Sequence, residues 1–357
     1  PRFFAAMQIK PKKSHVPRLI CLAAVSAAII LLCTAVGSVM ISPLDALKII
    51  RLKLTGSAVP EELSTLSAIL INLRLPRVFL AFISGGAMSL GGAIAQSLLS
   101  NPLASPYTMG VSSGASVGAA LVTIFGLGAG LSGHTRLALA GTVFSIAAVA
   151  VCLIVSSALD RNLGSYTIVL IGMVSSLFLS AIFTLLSGLA RDKTALLLRW
   201  QLGSFNAKGW DSVFVLLPVT MIGFIICLVK SSELDIISLS DRQAATIGVN
   251  VRAVKLLMFS VLAVMTGACV SFSGVIGFVD LVSSHLARRF VGPGHAYMLP
   301  SCFLIGGSLM TVSDLIARMA VSGTELPVGA VTAFIGAPFF VAVFFLKSGR
   351  GREAGSL

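Results

Sequence analysis

"GFVDLVSSHLARR", residues 277–289, is the stretch on which the fold turns. Its left half is apolar enough for the interior of a bilayer, and its right half ends in His285, Arg288 and Arg289. Apolar residues that give way to cations mark a helix leaving a membrane on its positive side. Asp280, inside the apolar half, is the anomaly. Ionisable groups within a bilayer are rare and costly.

The rest of the chain agrees with a membrane reading. Of 357 residues, 56% are hydrophobic and only 11% charged, whereas soluble domains carry roughly 25% charged residues. The net charge of +13 requires no nucleic acid, because excess Lys and Arg belong to the cytoplasmic loops of membrane proteins. The six cysteines lie in or beside apolar runs without CxxC spacing. They read as small buried hydrophobes, not as disulfides or metal ligands. Lys10, Lys12, Lys13 and Arg18 precede an apolar run that resembles a signal peptide. The run from Leu19 to Ile41 is too long for that, so it reads as a first transmembrane helix.

Runs of about 20 apolar residues mark membrane-spanning helices. Ten are expected, at roughly 19–41, 76–99, 106–127, 137–159, 166–189, 212–230, 254–273, 276–291, 299–321 and 326–346. The third and eighth are diluted by Gly, Ser and Pro, which suits helices packed inside the bundle. The domain plan is a tail at 1–18, a ten-helix domain at 19–347 and a tail at 348–357. An even number of spans places both termini on one side. With that side cytoplasmic, 15 of the 26 Lys and Arg residues lie there, a modest positive-inside bias. The 11 on the other side suit an outer face that meets something acidic.

Two connections stand out. Residues 42–73 form a long outer loop carrying Glu61 and Glu62. Residues 231–252 are the longest polar stretch inside. There Ser240 is expected to cap a short helix through Asp241, Arg242, Gln243, Ala244 and Ala245, stopped by Gly248. Such a helix between two spans is a docking surface; the plain alternative is a solvated connector. "SLGGAI" (89–94) and "SFSGVI" (271–276) form a faint echo, as an inverted repeat would give.

Chemistry is conspicuously missing. The chain has no phosphate-binding loop, no HExxH, no nucleophile elbow and no metal-ligand spacing. His15, His134, His285 and His295 fall near predicted membrane edges or loops. No catalytic residue, metal or cofactor is expected, and the chain reads as a conduit, not an enzyme. Few intramembrane charges, Asp280 and Asp314, point to energy supplied by a cytoplasmic partner.

Several long motifs occur in order. They are "LRLPRVFLAFISGGAMSLGGAIAQSLLSNPLASPYTMGVSSGASVGAAL" (73–121), "WQLGSF" (200–205), "GVIGFVDLVSSHLARRFVG" (274–292), "LPSCFLIGGSLMTVSDLIAR" (299–318) and "ELPVGAVTAFIGAPFFVAVFFLK" (325–347). Together they resemble the permease subunits of ABC importers for iron–siderophore complexes, haem and cobalamin, from about Leu19 to Lys347. The resemblance implies an all-α polytopic fold of the type II importer class in a bacterial inner membrane. It also implies a second permease subunit, most simply an identical copy, two separate ATPase subunits and a substrate-binding protein.

The resemblance assigns roles by position. Arg74, Arg77 and Arg318 match residues that dock the binding protein. Leu239, Ser240, Asp241, Arg242, Ala244, Ala245, Ile247 and Gly248 match the segment coupled to the ATPase. Asn101, Leu103, Ser165 and Tyr166 match a cytoplasmic gate. The implied cargo is an iron chelate or a cobalamin-like ligand. Molybdate or tungstate import is the alternative within the family, and an ion-coupled carrier using Asp280 the alternative outside it. The opening stretch departs from the family pattern: Asp280 stands for a glycine, and Ser283 and Ser284 for an aliphatic residue and a proline. Asp280 is expected to pair with a cation, to accept from Ser283 or Ser284, or to be protonated.

Overall fold

A computed structural model describes residues 15–353 of the protein apart from positions 38, 129, 131, 132 and 322. The cations at Arg2, Lys10, Lys12 and Lys13 lie outside the described residues, as does the side chain of His134. The described residues are helical, with no strand. Ten long helices fall where apolar runs predict them. They are α1 (Val16–Ala35), α2 (Leu75–Leu98), α3 (Val111–Phe125), α4 (Gly133–Leu159), α5 (Ser165–Leu189), α6 (Trp210–Val229), α7 (Val251–Ser273), α8 (Val279–Val291), α9 (His295–Met319) and α10 (Val328–Glu353). Seven helical segments, those containing α1, α2, α4, α5, α6, α7 and α9, are long and apolar enough to cross a membrane by length and composition.

The bundle is built around α2. Every residue of α2 except Phe79 is buried, whereas α1 buries only Ser26, Cys33, Thr34 and Ala35. The reason is residue size. Gly85 and Gly86 of α2 cross Gly306 and Gly307 of α9, and a Cβ on Gly85 would stand 2.3 Å from the Gly306 carbonyl oxygen. Small residues at a crossing let two backbones approach, which is how helices associate without a hydrophobic driving force between them. Phe82 and Phe303 close the sides of this crossing edge to face, 5.8 Å apart.

Helices α3 and α8 are shorter than their expected spans. At 15 and 13 residues they measure only about 20 Å each, short of a bilayer core. Irregular backbone precedes both. Residues 106–109 form a 3-10 turn ended by Gly110 at φ 86°, and residues 274–278 are non-helical. Such backbone survives at membrane depth only inside protein. Accordingly Tyr107 Oη donates to the Ile276 carbonyl at 2.7 Å, Ser204 N to the Ser273 carbonyl at 2.8 Å, and Val328 N to the Gly203 carbonyl at 3.1 Å.

Other expectations need correction. The 42–73 connection is not a loop: it holds a helix at Pro43–Leu54 and helical turns from Glu61 onward. Its amphipathic sequence packs Ala46 and Ile49 against Ile41 and Leu70. Helix α10 continues past Lys347 to Glu353, into the expected tail. Cys21 is exposed on α1, while the other five cysteines are buried. The two echo sequences differ in conformation. Residues 89–94 lie within α2, whereas 271–276 straddle the end of α7 at Gly274, where φ is 78°.

Candidate functional site

Two clusters lie at opposite ends of the bundle. The first surrounds a cavity of about 740 Å³ lined by Arg74, Arg77, Lys208, Arg318, Glu325 and neighbours. All three arginines singled out in the sequence meet here, from the start of α2 and the end of α9. They are not free surface cations. Arg74 is 6% exposed and Arg77 8%. Arg74 donates to the carbonyls of Thr34 at 3.2 Å, Ala35 at 2.8 Å and Val39, satisfying the unpaired carbonyls where α1 ends. Gly37 makes room: a Cβ there would stand 2.5 Å from the Arg74 guanidinium.

Arg77 forms a two-sided fork. It meets Asp314 through Nε at 3.0 and 3.1 Å and Nη2 at 2.8 Å, and Glu325 through Nη1 at 2.8 Å and Nη2 at 3.1 Å. Planar guanidinium suits such bidentate contacts better than a lysine would. Arg318 donates to the Cys33 carbonyl at 2.7 Å, and its Nε lies 3.5 Å from Asp314 one turn earlier. Lys208 adds a fourth cation to the lining. Partial burial pushes the pKa of its ammonium down. With Glu325 as the acid on the lining and Asp314 beneath it, positive charge dominates.

The second cluster is at the other end. A short helix spans Asp241–Thr246 after a β-region Ser240, as expected. The Ser240 hydroxyl makes no cap bond. Gly248 has φ 89°, the left-handed conformation that stops a helix cheaply only at glycine. Ala244 is buried and anchors the helix, while Arg242, Ala245 and Gly248 are exposed. Leu239 is 77% exposed and Ile247 66%. Apolar residues presented this openly among charges suit a protein partner. Asp241 instead turns inward, to Lys255 Nζ at 2.5 Å.

The expected gate residues lie in the turn after α2 and at the start of α5. Asn101 Oδ1 accepts from Leu103 N at 2.9 Å, holding the turn after α2. Ser165 Oγ donates to the Leu98 carbonyl at 3.5 Å, so the start of α5 touches the end of α2, three residues before Asn101. Leu103 and Tyr166 project from them, 53% and 80% exposed.

The family model described as the FecCD transport family matches residues 23–346. The chain belongs to that family. It is 36% identical to the cobalamin import system permease protein BtuC of Halobacterium salinarum, over 79% of this chain and 74% of that one. It is 33% identical to the Fe(3+) dicitrate transport system permease protein FecC of Escherichia coli, over 80% and 86%. Among solved structures it is similar to a metal-chelate type ABC transporter in an inward-facing conformation, with a TM-score of 0.80, 26% identity and coverage of 92% and 99%. The fold is therefore that of a type II ABC importer permease. As a FecCD-family chain the protein is a multi-pass membrane permease.

Within this FecCD-family fold Asp280 has an unanticipated partner. Its carboxylate accepts from Ser105 Oγ at 2.5 Å, in the turn before α3. Among the described residues it makes no ion pair. Ser284 Oγ donates to the Asp280 backbone carbonyl at 2.7 Å, and Ser283 Oγ meets Ser89 Oγ at 2.6 Å; neither serves the carboxylate. Gly92 leaves the space for Asp280, since a Cβ there would stand 2.6 Å from the Asp280 Cβ. Sequence reasoning also missed Asp314 and Glu325 as Arg77 partners, and it placed His295 near a membrane edge without its partner Asp235 and Lys255 without its partner Asp241. The available signal was a lysine four residues into the apolar run of α7.

Proposed function

We propose that the chain is the transmembrane subunit of an ATP-driven importer that carries an iron chelate or a cobalamin-like ligand into the cytoplasm. Two copies of this chain pair with two separate ATPase subunits and receive cargo from a substrate-binding protein. Both termini and the 231–252 segment face the cytoplasm. The family membership and the substrates named for its relatives support this reading. The observation that carries it is the pairing of a cationic cavity at one end with an exposed apolar-and-charged short helix at the other.

In this reading the cavity of Arg74, Arg77, Lys208 and Arg318 takes acidic side chains of the binding protein. The surface around Leu239, Ser240, Arg242, Ala245, Ile247 and Gly248 sits in the ATPase, anchored by Ala244 and Asp241. Asn101, Leu103, Ser165 and Tyr166 narrow the cytoplasmic end of the path. The Ser105 hydroxyl meets the need of Asp280 for a partner, so Asp280 is structural and carries no coupling ion.

The test is uptake into liposomes holding the permease and its ATPase, with the binding protein outside. Ferric dicitrate, haemin and cyanocobalamin serve as probes. Accumulation of one probe should require internal ATP and survive collapse of the ion gradients. Uptake that persists without ATP and stops with the gradients overturns the proposal.

A further inference from the structure

The 231–252 segment is tied to the bundle by two buried polar links, and each ends beside a different gate segment. In the first, Lys255 near the start of α7 is 0% exposed. Its Nζ meets Asp241 at 2.5 Å and donates to the Leu163 carbonyl at 3.0 Å. Leu163 lies two residues before Ser165. Its turn is fixed by Asp160, whose carboxylate accepts from Asn162 N and Gly164 N, both at 2.9 Å. Those two bonds hold the Asp160 carboxyl below its ordinary pKa.

In the second link, Asp235 lies in the short helix Ser231–Ile237. Its Oδ1 accepts from the backbone N of His295 at 2.8 Å and meets His295 Nδ1 at 2.6 Å. An ionised carboxylate only accepts, so Nδ1 carries the proton and Nε2 faces Ser97 Oγ at 2.6 Å. Ser97 is in the last turn of α2, four residues before Asn101. His295 and Ser97 are 2% and 4% exposed.

We infer that these are two separate transmission struts. Asp241–Lys255–Leu163 ties the coupling segment to the Ser165/Tyr166 gate, and Asp235–His295–Ser97 ties it to the Asn101/Leu103 gate. The inference rests on the coupling and gate roles proposed above. Its physical basis is the cost of breaking either link. A buried ammonium that left Asp241 would be stranded without its counter-charge, and low surrounding polarity strengthens the bonds that remain. Each acid, by contrast, is 40–45% solvent-exposed at its side chain. Each strut therefore has a dry end fixed in the bundle and a wet end on the surface that meets the ATPase. A displacement of the short helices moves both gate segments, each through its own strut.

The experiment uses the assembled complex, with Cys21→Ser removing the exposed native thiol. Leu103→Cys and Tyr166→Cys are placed singly as reporters. Labelling by a membrane-impermeant maleimide is compared between nucleotide-free and vanadate-trapped states, alongside cyanocobalamin, ferric dicitrate or haemin moved per ATP. Lys255→Met should abolish the nucleotide response at Tyr166→Cys and spare it at Leu103→Cys; His295→Gln should do the converse. Each should lower cargo per ATP roughly five- to tenfold, with ATPase still co-purifying. Lys255→Arg should keep the response.

If either buried variant fails to assemble, Asp241→Ala and Asp235→Ala cut the same struts from their exposed ends. Responses at both reporters that match wild type, or that fall together in every variant, overturn the strut assignment. A complex without these substitutions that shows no nucleotide response at either reporter overturns the gate and coupling reading itself.

Discussion

The two ends of the α2–α9 pair use buried charge in opposite ways. At the end marked by Arg74, Arg77 and Arg318, cations are gathered around an open cavity and share their acids: Asp314 meets two arginines, and Arg77 meets two carboxylates. At the other end, Lys255 and His295 each have one acid from a different short helix. A shared network with surplus positive charge presents a field to a visitor. A one-to-one link carries no surplus charge and holds two segments at a set distance. In the proposed reading, similar ionic chemistry makes a receptor at one end and a fastener at the other.

The sharpest way to break this contrast is Arg77→Ala. It leaves Asp314, only 1% exposed at its side chain, facing Arg318 alone. We expect a loss of about 3–5 kcal/mol, read as a fall in melting temperature in detergent. Adding Asp314→Leu should restore most of it; a double variant as unstable as Arg77→Ala would show that the network is not organised around that pair. Substituting Arg77 by Glu would confound docking with folding for the same reason.

Asp280 is the next largest effect, and it lies between the two ends. Asp280→Gly removes a carboxylate that costs about 2.5–3.5 kcal/mol on insertion scales, so stability and ATP-driven uptake should be kept or raised. Asp280→Asn should also support uptake. Loss of uptake in both variants at normal expression would reinstate Asp280 as a functional group.

Lys208→Glu probes the proposed receptor from the turn before α6, on the same cavity lining as the arginines. Binding-protein affinity should fall about tenfold at low ionic strength and by less in high salt, as screening predicts. An unchanged affinity in both conditions would remove Lys208 from the docking surface. The smallest effect is expected for Ser240→Ala. Because its hydroxyl makes no cap bond, stability should change by no more than about 0.5 kcal/mol. A loss of about 1 kcal/mol, the ordinary value for a cap, would show that the bond forms in the assembled transporter.

What was legible in the sequence follows from what apolar runs record. Hydropathy reports contact with lipid or core, so the positions of all ten long helices were readable. It does not report where a helix stops inside protein, so α3 and α8 came out too long at Gly110 and Phe278. The arginines were readable as a group through the family resemblance, and the span count put all three on one face. Asp314 was readable as a partner of Arg318 four residues on, but the acids of Arg77 were not, because Asp314 and Glu325 lie 237 and 248 residues from it. Separations of 60 and 198 residues likewise hid Asp235 and Ser97 from His295. The short helix at Asp241–Thr246 was readable from local signals alone, Ser before it and Gly after it, even though Ser240 does not use its hydroxyl.

The crossing at Gly85 and Gly306 has a mechanical consequence. A Cβ on Gly306 would stand 1.7 Å from Ser89 Oγ and 2.6 Å from the Gly85 carbonyl oxygen, so neither helix has room to slide over the other. α2 and α9 are then expected to move as a single beam about 36 Å long, crossing near its middle. A tilt of about five degrees swings its tips by roughly 1.5 Å in opposite directions. Widening at one face of the membrane and narrowing at the other become one movement, with no signal relayed through the path between them. Spin labels near each tip, measured against α4, should record displacements of opposite sign; displacements of equal sign would mean that the crossing slips.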